Sequence, residues 1–146
     1  KNLIRRIKMK KFKIMIACLV IVGAYLSFNA FIVNPHGSSV PSVPVLDTPG
    51  NGATGISLTP VLQVINSTGG TGARLYDFQL TLASDVNFNI PIIRVSNLSE
   101  GGSGKTSYTV PSSLMNNTSY IWKAECHTVA DGSSGYSGAF GFLTTP

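Results

Sequence analysis

The sequence is poor in charge and in reactive side chains. Its 146 residues include two cysteines, two histidines, one tryptophan and six acids, and charged residues make up 12%. The cysteines are Cys18, inside a long apolar run, and Cys126, so a disulfide framework is excluded. His36 and His127 are the only histidines, with no Cys/His spacing of the zinc type and no HExxH pattern. No acid precedes Asp47. Seven of the eleven bases (Lys1, Arg5, Arg6, Lys8, Lys10, Lys11, Lys13) fall in the first thirteen positions, against four (Arg74, Arg94, Lys105, Lys123) in the remainder. The head therefore carries +7 and the rest −2, behind a formal net charge of +5 and a pI near 9.4. Nucleic-acid binding needs Lys and Arg spread over a folded face. One terminal block does not supply that, and no nucleic-acid partner is expected.

The basic block gives way to an apolar run. Ile14 to Val33 (IMIACLVIVGAYLSFNAFIV) is twenty residues without a charge. A hydrophobic helix of that length spans about 30 Å, enough for a bilayer core. Residues 1–33 read as a basic n-region plus a signal peptide or a signal-anchor helix. Cleavage after Val22-Gly23-Ala24 or Phe28-Asn29-Ala30 would start the mature chain at Tyr25 or Phe31. If the segment is uncleaved, Ile14–Val33 is the membrane contact and the N-terminus is cytoplasmic. Cys18 reads as a plain buried thiol, because Met15-Ile16-Ala17-Cys18 lacks the usual lipoprotein leucine and apolar sequence runs on past it. Met9 begins a better n-region than Lys1. Ile4 to Met9 can be encoded as ATA-AGG-AGA-ATT-AAA-ATG, which holds a purine-rich ribosome-binding run before the ATG. The first eight residues are thus expected to be upstream read-through in a bacterial or archaeal gene.

Residues 34–42, rich in Pro and Ser, read as a linker, and residues 43–146 as one domain. Short β-like segments succeed one another: Val43–Leu46, Ile56–Ile65, Arg74–Ala83, Ile90–Val95, Thr106–Val110, Ser119–Thr128 and Ala139–Thr144. Gly-rich turns such as Thr68–Gly72, Gly101–Gly104 and Asp131–Gly135 separate several of them. Tyr76, Phe78, Leu80 and Leu82 alternate with Asp77, Gln79 and Thr81, and Tyr120, Trp122, Ala124 and Cys126 alternate with Ile121, Lys123, Glu125 and His127. Period two turns the first set of each strand inward and the second to water. The expected core is Tyr76, Phe78, Leu80, Tyr120, Trp122, Ala124, Cys126, Phe140 and Phe142. The expected fold class is all-β, a seven-stranded antiparallel sandwich after one N-terminal hydrophobic helix.

Several motifs then occur in the order of a known family. Asn117 to Ala124 (NTSYIWKA) and Gly135 to Pro146 (GYSGAFGFLTTP) resemble the last two strands of a prokaryotic fibronectin type III-like module. Thr48 to Ala53 with Leu58 to Leu62 resemble its first two strands, and Leu75 to Leu80 its third. Many relatives carry Trp on the second strand where this chain has Val64. The resemblance implies that Tyr120 is the corner tyrosine, its hydroxyl bonded to backbone a few residues upstream.

Reactive constellations are scarce. Ser99 to Thr106 imitates a P-loop, but the first Gly is Ser99 and a strand signal comes next where a helix is needed, so it reads as a hairpin loop. Asp77 and Glu125 are candidate neighbours on adjacent strands, read as a solvated face with Lys123 as counter-charge. Asp85, Asn87 and Asn89 alternate like calcium ligands, yet three are fewer than calcium takes, and turn formation is the reading. No Gly-x-Ser-x-Gly elbow occurs. Asn66, Asn97, Asn116 and Asn117 each start an Asn-x-Ser/Thr triplet. No catalytic, cofactor-binding or metal-binding residue is assigned. The expected function is a non-enzymatic extracellular or cell-surface module, a spacer or an adhesion or binding unit, with a surface protein or a carbohydrate as ligand. Two alternatives stand beside it. One is an accessory module of a larger secreted enzyme, a polysaccharide hydrolase or peptidase, suggested by the stop at Phe142–Pro146. The other is a pilin-like filament subunit.

Overall fold

The computed structural model describes residues 39–146. The basic head, the apolar run Ile14–Val33, Cys18 and His36 lie outside the described residues. Within them the chain is all-β, with nine strands in two sheets and no helix. β1 (Val45–Thr48), β3 (Val61–Ile65) and β6 (Lys105–Thr109) form a three-stranded antiparallel sheet in the order β1-β3-β6. The larger sheet runs β2 (Ala53–Ile56), β9 (Phe140–Thr144), β7 (Ser119–Thr128), β4 (Leu75–Leu82), β5 (Ile93–Ser99). β8 (Gly132–Ser133) adds a short return on β7.

The long central strands arise from alternation. β7 reads outward and inward by turns over ten residues, and its register with β4 is unbroken from Leu75↔His127 to Leu82↔Tyr120. A slip by one would send every inward side chain to water, so the pattern fixes the register. Two expectations about strands need correction. Ile56–Ile65 is not one strand: Ser57 to Pro60 interrupt it, Gly55 has φ +67, and Pro60 has no N–H to give a ladder. Only Ile56 precedes the break in a strand, as the last residue of β2, which lies in the larger sheet and pairs with β9 in parallel, so the sheets are not wholly antiparallel. With β2 and the short β8 added, the count is nine, not seven.

The inward faces of the two sheets share one core. Leu46, Leu62 and Val64 of the smaller sheet meet Tyr76, Phe78, Leu80, Tyr120, Trp122, Ala124, Cys126 and Phe142 of the larger. Phe140 is half-buried at the margin and meets Trp122 edge-on at 6.4 Å. Phe78 lies between Trp122 and Tyr108, at 6.3 and 6.5 Å between centroids. Burying each of these large side chains is worth about 1.5–3 kcal/mol, and their ring pairs add about 0.5–1.5 kcal/mol each. Val64 fills the second-strand position without a Trp, and Trp122 reaches back to bond the Pro49 carbonyl through Nε1 at 3.2 Å. Cys126 is a buried free thiol.

The folded unit begins before Val43. Pro41 and Pro44 are buried, and Ser42 N–H donates to the Thr68 carbonyl at 2.8 Å. The last linker residues thus belong to the domain. They join it at the pole where β3 and β7 end. At the other pole, loops 57–60, 83–92 and 110–118 gather. Ala83 N–H donates to Ser119 O, Leu114 N–H to Leu58 O and Asn117 N–H to Thr145 O.

Candidate functional site

The outward face of the larger sheet gathers Asp77, Arg94, Lys123, Glu125 and His127. Register places Asp77 opposite Glu125, Gln79 opposite Lys123 and also opposite Arg94, and Thr81 opposite Ile121. Asp77 and Glu125 are therefore cross-strand neighbours. Like charges in that position repel, and each is given its own donors. Asp77 Oδ1 accepts the Asn97 N–H at 2.8 Å and lies 3.7 Å from His127 Nδ1. Glu125 Oε2 accepts the Ser133 hydroxyl at 2.5 Å.

This face is not simply solvated. Gln79 and Thr81, expected to meet water, are buried. Gln79 bonds Tyr136, 57 residues on, and Thr81 bonds Asp85 and the Ile90 carbonyl of the β4–β5 loop. Phe88 comes from the β4–β5 loop and Tyr136 from the segment before β9. Lys123 Nζ stands 4.1 Å from the Phe88 centroid and 4.5 Å from that of Tyr136. The ammonium is thus held between two rings. Tyr136 Oη accepts from Gln79 Nε2 at 2.8 Å. Burial pushes the Tyr136 phenol up to about 12, and the negative charges of Glu125 and Asp77 act the same way.

The β4–β5 loop is built to hold Phe88 there. Phe88 has φ +56, a left-handed conformation that costs a bulky residue energy. Asp85 offsets this by fixing the turn: Oδ1 accepts Asn89 N–H at 3.0 Å, and Oδ2 accepts Ile90 N–H at 2.9 Å and the Thr81 hydroxyl at 3.1 Å. Those backbone bonds hold the Asp85 carboxyl below its ordinary range. The Asp85–Asn87–Asn89 alternation is therefore a self-capped turn. Among the described residues no three His, Cys, Asp or Glu side chains converge as metal ligands do.

A serine–histidine–acid set also sits on this face, because His127 pairs with Ser133 across β7–β8 and with Asp77 through space. Its bonds point elsewhere. Ser133 donates to Glu125, and His127 Nε2 contacts Asn97 Oδ1 at 3.1 Å. A nucleophile needs its base within hydrogen-bond reach, and here each polar group serves a neighbour's position. Farther along the face lies a shallow groove of about 260 Å³, bounded by Thr54, Ala83, Ser119, Ile121, Gly141 and Leu143.

The remaining motifs are structural in their contacts. Residues 100–104 carry the chain from β5 to β6, which lie in different sheets, so the P-loop-like stretch is a crossover and not a hairpin. Thr106 Oγ1 accepts Gly101 N–H at 2.9 Å and donates to Asn66 Oδ1 at 2.7 Å, while Asn66 Nδ2 donates to Gly101 O at 3.0 Å. Both ends of the Asn66 amide are thus occupied, whereas Asn97, Asn116 and Asn117 are exposed. Tyr120 Oη accepts the Met115 N–H at 3.0 Å. Tyr76 Oη accepts Ser67 N–H at 2.8 Å and donates to Glu100 Oε2 at 3.0 Å, and Glu100 is paired with Arg74. Alternation found Asp77, Lys123, Glu125 and His127, but had no means of finding Phe88, Asn97, Ser133 or Tyr136. A lone Phe in the polar run Ser84–Asn89 was the one available hint.

No protein-family model matches the chain, and no curated protein matches it. Among solved structures it is similar to the crystal structure of a beta-1,2-glucanase from Parabacteroides distasonis, at 13% identity and a TM-score of 0.42. The match covers 74% of this chain and 14% of that one.

Proposed function

We propose that the chain is a non-enzymatic cell-surface or extracellular module, a fibronectin type III-like sandwich serving as a spacer or as an adhesion or binding unit. The observation that carries the reading is the joining, in one chain, of a seven-base head and twenty uncharged residues to an all-β domain of net negative charge. That layout is the one by which a folded domain is exported or displayed. Strand order supports the family resemblance. Apart from short β2 and β8, the seven remaining strands divide into β1-β3-β6 and β9-β7-β4-β5. The bond from Met115 N–H to Tyr120 Oη supports the corner-tyrosine role. The non-enzymatic reading is supported by the outward face, where the Asp77, Glu125, His127 and Ser133 side chains contact one another or a neighbour.

Protease treatment of intact cells tests the location. A tag after Pro146 is degraded from outside while an N-terminal tag survives, if the helix is an anchor. Degradation of the C-terminal tag only after lysis refutes the reading. Mass spectrometry of the mature N-terminus then separates the two fates of Ile14–Val33: a start at Tyr25 or Phe31 identifies a cleaved signal.

A further inference from the structure

One dipeptide of the chain is chemically labile. Asn51-Gly52 is its single Asn-Gly pair. Asparagine loses its side-chain amide most readily before glycine, because no Cβ on the next residue shields the backbone nitrogen. That nitrogen attacks Asn51 Cγ. The N–Cγ bond forms, the Cγ–Nδ2 bond breaks, and ammonia leaves carrying the Gly52 amide proton. Water then opens the five-membered succinimide ring at either carbonyl, giving aspartate or isoaspartate. Asn51 is exposed, and with Gly52 it lines the shallow groove of the larger sheet, so water has access.

The fold holds the reacting groups apart. Ala53 N–H donates to Gly50 O at 3.1 Å, so residues 50–53 form a β-turn. Gly52 has φ +80 and Asn51 is not left-handed, which makes the turn type II. The residue in Asn51's place in such a turn has ψ of about +120°. Ring closure needs the Gly52 nitrogen to eclipse Asn51 Cβ, and at that ψ it lies a third of a turn away about the Cα–C bond. Both groups are also tied to one residue of β9. Gly52 N–H donates to Gly141 O at 2.7 Å, and Asn51 Oδ1 accepts Gly141 N–H at 2.9 Å. Turning ψ into the reactive range swings the Gly52 N–H off Gly141 O, so this clamp must open before the ring can close.

We infer that Asn51-Gly52 is a self-modification site gated by the β2–β9 edge, inert while the turn is clamped to Gly141 and converted when the edge opens. Isoaspartate routes the backbone through Cβ and Cγ, one atom longer than a peptide, and leaves a carboxylate where the turn had a carbonyl. The type II turn does not re-form around that linkage, and β2 does not return to its register on β9. Trp122 senses the change, because its Nε1 bonds Pro49 O two residues before Asn51. A transient opening is thereby made permanent. The inference goes beyond the proposed function and holds wherever the domain resides.

The test follows Asn51 in the full chain, kept in mild detergent and mildly alkaline buffer, by peptide mapping in heavy-oxygen water and by methylation with protein isoaspartyl methyltransferase. The reference is the same chain unfolded in guanidinium. The expected conversion is at least about a hundredfold slower in the folded chain, and exchange of the Gly52 amide is slowed by the same factor to within about tenfold, since both wait on one local opening. Gly141→Pro loosens the clamp. Gly141 N–H and O both face Asn51 and Gly52, so proline removes the bond to Asn51 Oδ1 and none to β7. It speeds conversion by about tenfold or more while the circular dichroism of the domain stays unchanged. Gly141→Ala keeps the N–H, its Cβ meets nothing closer than 3.7 Å, and its rate matches wild type. Folded wild type converting as fast as the unfolded chain overturns the inference. So does slow conversion with unprotected exchange at Gly52, a comparison that needs no variant. Equally slow conversion in Gly141→Pro and Gly141→Ala also overturns it, because the clamp would then hold nothing back.

Discussion

Replacing Tyr76 by phenylalanine removes one oxygen and leaves the ring in place. That oxygen holds two bonds in a buried corner, accepting Ser67 N–H at 2.8 Å and donating to Glu100 Oε2 at 3.0 Å. Ser67 is itself buried, so water does not take the place of the lost acceptor. Stranding a buried N–H costs about 1–3 kcal/mol, and a hydrogen bond to a charged group is worth about 1.5–3 kcal/mol. Partial relaxation brings the expected loss for Tyr76→Phe to about 2–4 kcal/mol. At a urea m-value of about 1–1.5 kcal/mol/M for a domain this size, the midpoint falls by roughly 2 M. Emission from Trp122, the chain's one tryptophan and fully buried, reads the transition. The loss also depends on pH. Arg74 above all, then the Tyr76 hydroxyl, holds the Glu100 carboxyl below its ordinary range. A depressed carboxyl contributes stability above its unfolded pKa and loses it as pH falls through the folded one. The gap between wild type and variant therefore narrows in acid, and in a Glu100→Gln background it is smaller at every pH. A midpoint shift under about 0.3 M with an unchanged m-value, or a gap that widens in acid, would refute the account of this corner.

Other expectations rest on particular contacts. Tyr76 and Tyr136 are both raised to about 12, in each case chiefly by burial. A raised tyrosine contributes stability that is whole below its unfolded pKa near 10 and is lost as pH climbs towards 12, so an alkaline titration at 295 nm shows late-ionising tyrosines that coincide with unfolding. Gly101→Ala drives its Cβ into the Lys105 carbonyl oxygen, whereas Gly102→Ala meets nothing within 4 Å; thermal denaturation separates them, the first falling by several degrees and the second hardly moving. Asp85→Ala frees the β4–β5 loop, and amide exchange quickens at Asn89 and Ile90 while β7 keeps its protection. When the domain is secreted from a cell that N-glycosylates, glycopeptide mapping finds sugar on the 97 or the 116/117 triplet and none at Asn66 in folded chains.

How far the sequence could be read depended on how local each cause was. β4 and β7 are visible because eight to ten consecutive residues obey one period, and the inward half of that pattern named most of the larger sheet's core. β2 and β8 are four and two residues long, too short for any period. β2 also owes its place to parallel pairing with β9, nearly ninety residues away. The outward face departs from its alternation for a similar reason. Gln79 and Thr81 are polar and alternate correctly, yet both are buried, and the residue that Gln79 bonds, Tyr136, lies 57 residues away. Alternation says which way a side chain points and nothing about what arrives to cover it.

The parallel β2–β9 pairing has a mechanical consequence. The chain enters at the pole of Ser42 and Thr68 and leaves beyond Thr144 at the other, with β2 running alongside β9. Tension between the two ends pulls these neighbours along their length in opposite directions. The bonds at Ala53↔Phe142 and Ile56↔Thr144 then share the load and must fail together, instead of opening one after another like a zip. A domain loaded in this way resists force through its slow forced-unfolding step and not through its equilibrium stability. Substituting Ala53 or Thr54 by proline would lower the rupture force in a pulling experiment far more than it lowers the melting temperature.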